Sequence, residues 1–221
     1  VPINFKSYYI SKTMNYNIGI SIDVSGSTGE LCGNMNNIIE YEFVLALAVY
    51  YFALRHKCPI LLHLWSSDDT LFKINHRIPG FIDKLYNRVK EISGQGTVPE
   101  HALRVMKENP EAYWIILTDL EWDNDSAEKF LSYLRNLDPR TKGNYLFIII
   151  YNVYESYSKT AVTYCRYLYR QDEPLCRLYS YLLSKKKAIV YNIHNDYDKM
   201  IRDILKTIRR VVYSRNTKIN S

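Results

Sequence analysis

Ile18-Gly19-Ile20-Ser21-Ile22-Asp23-Val24-Ser25-Gly26-Ser27 decides how this chain is to be read. Its isoleucines recur at every second position, which is the period of a strand, and predict a buried strand over about 16–24. Where the strand runs out, a carboxylate and two hydroxyls follow at alternate positions: Asp23, Ser25 and Ser27. Alternation keeps the three within reach of one point, and Gly26 lets the backbone turn tightly between them. Three hard oxygen donors suit a small hard cation, Mg²⁺ first, with Mn²⁺ and Ca²⁺ as alternatives. One carboxylate with two neutral hydroxyls leaves such an ion under-neutralised, so it takes up a further oxygen readily.

Two later segments extend the pattern. Ser93-Gly94-Gln95-Gly96-Thr97 is a glycine-rich loop that delivers another hydroxyl, with Pro99 suited to the start of a helix. Tyr113-Trp114-Ile115-Ile116-Leu117-Thr118-Asp119 is an apolar run that ends in a carboxylate, a second central strand. This trio, D-x-S-x-S, then T, then T-D, resembles the von Willebrand factor A domain and its metal-ion-dependent adhesion site. Gly94-Gln95-Gly96-Thr97 through Ala102-Leu103 also follows that family's G-x-G-T…A-L pattern, and residues 16–213 fit its order of strands and helices. The resemblance implies direct hydroxyl ligands from Ser25, Ser27 and Thr97, and binding by Asp23 and Asp119 directly or through water. It implies a sixth position filled by a carboxylate of a protein partner. The family often has glycine after the last aspartate, where this chain has Leu120-Glu121-Trp122-Asp123. Glu121 or Asp123 either reaches the metal in the partner's place or makes the rim acidic; their fitness to start the next helix favours the rim.

The remaining pattern alternates strands with helices. A helix over 34–55 is apolar almost all round and is expected to pack deeply. A strand over 59–65 turns at Ser66-Ser67-Asp68-Asp69 and returns over 70–74 as an antiparallel edge. Helices follow over 81–92, after Thr97, and over the stretch from Ala127 to Leu137 capped by Asp123 or Asp125. Tyr145 to Tyr151 and Ala188 to Ile193 are strands, and a closing helix carries Tyr197, Ile201, Ile204, Leu205 and Ile208 inward. The fold class is α/β: a Rossmann-like, doubly wound, mostly parallel sheet with one antiparallel edge strand and helices on both faces. Asp23 and Asp119 then share the edge formed by the strands' C-terminal ends, where ligands of open α/β sheets bind. Residues 1–15 lack periodicity and form an N-terminal arm. Residues 155–187 hold more than the family requires and divide into helices near 160–170 and 174–183, rich in tyrosine and basic residues.

At 221 residues one domain is expected. No apolar run reaches the length of a membrane span, and no secretory signal precedes the first strand, so a cytoplasmic or virion-associated protein is expected. Abundant Ile and Asn, with 21 tyrosines, are the composition of proteins from AT-rich genomes, among them viruses of thermophilic archaea. Cys32, Cys58, Cys165 and Cys176 form no C-x-x-C pair, which argues against zinc. Buried or free thiols are expected, with a Cys165–Cys176 bridge the alternative in an oxidising setting. His56, His63, His76, His101 and His194 show no zinc-hydrolase spacing.

The net charge of +6 is uneven: residues 155–221 carry 14 Lys and Arg against 6 Asp and Glu, while residues 1–154 carry 15 against 17. Lys185, Lys186, Lys187, Arg202, Lys206, Arg209 and Arg210 form a candidate patch for nucleic acid or an acidic partner, set against the plainer reading of a solvated helix face. Three functions compete. The first is a non-enzymatic module gripping a partner's carboxylate through the cation. The second is a nucleic-acid-associated protein acting through its basic C-terminal third. The third, implied by a loose resemblance of Asp23 and Thr118 at their strand ends to haloacid-dehalogenase-type phosphatases, is a Mg²⁺-dependent phosphohydrolase with Asp23 as nucleophile. It is weakened because Ser25 stands where that family has its acid/base carboxyl.

Overall fold

The computed structural model describes residues 18–27, 38–137, 145–151, 162, 165 and 172–216. Strand β1 (Ile18–Asp23) is buried along its whole length. Helix α1 (Ile38–Arg55) leads to β2 (Ile60–Trp65), parallel to β1, and a turn brings back β3 (Asp69–Ile74) antiparallel to β2. Helices α2 (Phe81–Ile92) and α3 (Glu100–Glu108) precede β4 (Tyr113–Thr118), which pairs with β1 on its other side. Then come α4 (Asn124–Asn136), β5 (Tyr145–Tyr151), α5 (Pro174–Ser184), β6 (Ala188–Asn192) and α6 (Ile193–Asn216).

The sheet order is β3-β2-β1-β4-β5-β6, with β3 the one antiparallel member. This is the expected Rossmann-like, doubly wound α/β sheet. The chain winds outward from β1 in one direction and from β4 in the other, so the order reverses between these two neighbours. Such a reversal opens a crevice at the C-terminal ends of the strands. Asp23 and Asp119 flank it.

Strand alternation distributes the core to two faces. Ile18, Ile20, Ile22, Leu62, Leu64, Ile115 and Ile148 pack under α1, α2 and α6. Leu61, Trp65, Trp114, Ile116, Phe147 and Ile149 pack under α3, α4 and α5. On the second face β1 has only Gly19 and Ser21 to offer, and the space is taken by its neighbours. A Cβ on Gly19 would stand 2.4 Å from the Trp114 ring, so glycine here is what lets the indole lie across β1. Ser21 is fully buried, and its Oγ lies 2.9 Å from His63 Nδ1. The other ring nitrogen of His63 is 2.9 Å from Asp69 Oδ2, and Arg104 of α3 reaches the same carboxylate at 2.6 Å. A polar chain thus runs from the central strand through β2 to the edge strand and onto a helix. Burial holds the His63 imidazole below its ordinary value, with Asp69 opposing. The hydrogen bond from His63 holds the Asp69 carboxyl low.

Three expectations need correction. Helix α1 is not deeply packed all round: Leu45, Ala46, Val49, Tyr50 and Ala53 are buried, but Val44 and Tyr51 are about half exposed (47% and 51%). One sheet face can cover only one side of a helix. Cys165 and Cys176 are not free thiols but form a disulfide, while Cys58 is free and buried. The pairing joins α5 to a helical position eleven residues earlier, a proximity that chain spacing alone does not reveal. The last strand stops at Asn192, one residue before the expected Ile193, which instead opens α6. The arm over 1–15, Cys32, and the proposed helix over 160–170, apart from Val162 and Cys165, lie outside the described residues.

Candidate metal centre

Asp23 closes β1 with its carboxyl buried. Oδ1 accepts the backbone N–H of Ser25 at 3.2 Å, and Oδ2 accepts the Thr118 hydroxyl at 2.7 Å. The loop beyond folds back at once, so that the Ser25 and Ser27 hydroxyls lie 3.2 Å apart. It is stitched to the glycine-rich loop. Gly94 N–H donates to the Val24 carbonyl at 3.1 Å, and Gly26 N–H donates to the Gln95 carbonyl at 2.8 Å. A side chain at Gly26 would press on the Gly94 carbonyl at 3.2 Å, so the two loops approach this closely because residue 26 has none. Farther on, Val98 N–H donates to the Ser66 carbonyl at 3.0 Å, anchoring the loop to the end of β2. Half-buried Thr97 sits between these anchors, over the C-terminal ends of β1 and β2.

Asp119 follows β4 and is fully buried. Its Oδ1 accepts the Glu121 N–H at 2.9 Å. Its Oδ2 is buried and has no hydrogen-bond partner among the described residues. A buried carboxylate oxygen left without a donor is costly unless a cation or proton satisfies it. Burial pushes Asp23 up to about 6, against hydrogen bonds from Ser25 and Thr118. Burial, and then the charge of Asp23, push Asp119 up to about 8, against the nearby Ser27 hydroxyl. Two carboxyls sharing one dry crevice cannot both ionise cheaply, and a divalent cation removes that conflict. Asp23, Asp119, Ser25 and Ser27 are therefore brought together, with Thr97 on a loop fastened to theirs. Among the described residues no group of three or more His, Cys, Asp or Glu is placed to hold a metal ion; what gathers at this crevice is two carboxyls and hydroxyls, which are hard oxygen donors.

Two contributors escaped the sequence reading. Thr118, besides donating to Asp23, accepts from Leu120 N–H at 3.0 Å and from Trp122 Nε1 at 3.2 Å. With its acceptor side engaged, its proton is directed at Asp23. The pattern T-D hinted at Thr118; nothing in the sequence hinted that Trp122 turns inward. Leu120 explains the chain's departure from glycine. Its φ of 57° is left-handed, and its side chain is wholly buried against the α4 face. Asp123 caps α4, accepting Ser126 N–H at 2.7 Å and Ser126 Oγ at 2.9 Å. Glu121 is half-buried beside Asp119, and its charge adds to the upward push there.

The candidate basic residues do not gather at this crevice. Lys185 and Lys186 form the turn after α5, and Lys187 stands over the Tyr145 ring at 5.4 Å. Arg202, Lys206, Arg209 and Arg210 are exposed along α6, with Lys206 3.6 Å from Asp203.

No protein-family model matches the sequence, and no curated protein matches it. Solved structures do resemble the fold. A von Willebrand factor type A structure from Catenulispora acidiphila aligns with a TM-score of 0.49 at 15% identity, over 88% of this chain and 42% of that one. The conserved hypothetical protein BatB from Bacteroides thetaiotaomicron aligns at 0.47 and 12% identity, over 89% of this chain and 98% of that one. An aerotolerance-related membrane protein from Bacteroides fragilis NCTC 9343 aligns at 0.44 and 12%, over 86% and 98%. Among the described residues no helix is long and apolar enough to cross a membrane.

Proposed function

We propose that this chain is a non-enzymatic binding module that holds a divalent cation, Mg²⁺ first, and through it engages a carboxylate of a protein partner. The observation that carries the reading is the pair of buried carboxyls at the sheet's reversal point, one with an oxygen lacking any donor among the described residues. Asp23 and Asp119 would supply the charge, and Ser25, Ser27 and Thr97 the neutral oxygens. A bound cation would supply a Lewis-acidic point for one more anionic oxygen. Thr118 orients Asp23, Trp122 and Leu120 wall the crevice, and Glu121 lends the rim a negative charge. That rim favours cation entry and disfavours acidic partners that cannot reach the metal. Serine at position 25 offers no acid/base carboxyl, which supports binding over phosphoryl chemistry.

The test is thermal unfolding with and without Mg²⁺, on the parent chain and on Asp119→Asn. Mg²⁺ at 100 times its dissociation constant should stabilise the parent by about 2.7 kcal/mol. Asp119→Asn should lose that response and, without metal, should melt higher than the parent at pH 8, since it removes an unpaired buried charge. A parent indifferent to Mg²⁺, Mn²⁺ and Ca²⁺ sinks the proposal.

A further inference from the structure

The edge opposite the crevice carries a row of cations with no ion pair among the described residues, and we infer that it is a second binding face, which takes the phosphate backbone of nucleic acid without regard to sequence. In a parallel sheet every strand starts on one edge. Ile60, Ile18 and Tyr113 are in register, Trp114 pairs with Tyr145, and Phe147 with Ala188. Arg55 and Lys57 lie just before β2, and Lys185, Lys186 and Lys187 just before β6, so they border the same edge. Arg210 belongs there too, because its charge bears on the Tyr113 hydroxyl at the start of β4. Four inter-strand spacings separate β2 from β6, a span of about 19 Å. That is the length of roughly five to six phosphates along one strand at about 3.4 Å each.

Part of the positive charge elsewhere is neutralised, although Lys84, Lys90 and Lys199, like this row, make no ion pair with any described residue. Arg88, Arg104, Lys129 and Arg177 are each engaged by carboxylates of Asp68, Asp69, Glu91, Glu100, Glu108 or Glu128. Arg55, Lys57, Lys185, Lys186 and Arg210 make no ion pair with any described residue. The acids near this edge include Asp83, in the first turn of α2, and Glu108 and Glu111, which precede β4. Beyond Asp203 the chain has Lys206, Arg209, Arg210, Arg215 and Lys218 and no acid at all. Helix dipoles account for a cation at each helix end, but not for three lysines in succession. Backbone geometry adds a second observation. Lys57 (φ 48°) and Lys186 (φ 55°) occupy left-handed positions after α1 and α5, where glycine is the cheaper residue.

A membrane surface would ask for the same charge plus protruding apolar side chains. Near this edge those are Tyr51 and Ile82 (51% and 44% exposed) at the β2 end and Leu183 and Ile189 (38% each) at the β6 end, so the apolar groups stand at the two ends of the row rather than along it. Lysine rather than arginine predominates, and lysine acts as a point charge toward phosphate rather than a bidentate reader of bases, hence the indifference to sequence.

The experiment is fluorescence anisotropy of the full chain with labelled oligothymidylate of about 20 nucleotides and with a duplex, across a KCl series, in Mg²⁺ and in EDTA. Binding should weaken with a log–log salt slope of about −2 to −4, and EDTA should leave it unchanged. The triple charge reversal Lys57→Glu, Lys186→Glu, Arg210→Glu should weaken it about tenfold or more at low salt. A control triple of equal charge on the other surfaces, Lys90→Glu, Lys129→Glu, Lys199→Glu, should change it less than about threefold, with both variants retaining the parent's unfolding transition. No binding at low salt overturns the inference, as does equal loss in both triples, or capture by phosphatidylserine-containing vesicles without capture of nucleic acid. Binding abolished by EDTA would return the function to the metal crevice and overturn it likewise.

Discussion

At the scale of single residues, the crevice has a pH signature of known sign. Asp23 and Asp119 are raised in the folded chain, to about 6 and about 8. Above about pH 4 the unfolded chain releases these protons while the folded one keeps them, so metal-free stability falls as pH rises through both values. His63 works the other way: held low by burial, it makes the fold lose stability as pH drops below about 6.5. The window from about pH 6.5 to 8 therefore isolates Asp119. Urea denaturation without metal should give declining stability across that window in the parent and a flat profile in Asp119→Asn. A parent profile that rises there contradicts the burial argument. Leu120 poses a contest of magnitudes. Glycine would relieve a left-handed φ worth about 1–2 kcal/mol, but would leave a cavity where a wholly buried leucine stood, worth about 2–5 kcal/mol. Burial wins, so Leu120→Gly should lower the midpoint of urea unfolding, despite glycine being the conformationally easier residue.

At the scale of elements, two contacts hold the second face of the sheet to its helices. Trp114 lies over Gly19, and Gly19→Ala should cost about 1–3 kcal/mol, because the new methyl meets a ring already fixed by its Nε1 hydrogen bond to the Asn109 carbonyl. Near-ultraviolet circular dichroism should register the displaced indole together with the loss of stability. The disulfide is the second. Cys165 and Cys176 close a short loop, and reduction should remove roughly 2–3 kcal/mol on the chain-entropy account. Thermal unfolding with and without reductant measures it, and an unchanged midpoint would mean that the packing of α5 on α4, aided by Arg177 with Glu128, suffices alone. The Ser21–His63–Asp69 chain has the residues of a nucleophilic triad, but Ser21 and His63 are wholly buried, so its work is to fix the hairpin and α3 against β1.

At the scale of the whole molecule, charge is polarised along the strands. Helices α3, α4, α5 and α6 begin on the crevice edge with Glu100, Asp123, Glu173 and Asp196, and end toward the opposite edge with its basic row. The parallel winding makes this economical, since it points α1, α3, α4, α5 and α6 the same way, while α2, which follows the antiparallel β3, runs back toward the crevice, and each helix end prefers one sign of charge. The two edges should then respond to different variables. Metal chelation acts on one and ionic strength on the other, and Asp119→Asn should leave the salt-dependent binding of oligonucleotide unchanged. A change of more than about threefold would mean that the faces are coupled.

The sequence by itself determined the alternation of strands and helices, the antiparallel edge strand, the placing of Asp23 and Asp119 at strand ends, and a cap at Asp123 or Asp125. All of these are written in local periodicity, in turn residues and in the polarity of a few side chains, which a reader can follow along the chain. What only the tertiary structure decided are relations across the sheet. Nothing local announces that Trp122 and Thr118 aim a proton at Asp23 or that His63 bridges Ser21 and Asp69, and chain spacing left the Cys165–Cys176 bridge as one alternative. The sequence likewise did not reveal that lysines far apart in the chain share one edge while the crevice occupies the other. These depend on which strands become neighbours and on how deeply each group is buried, and both are settled by the packing of the whole chain.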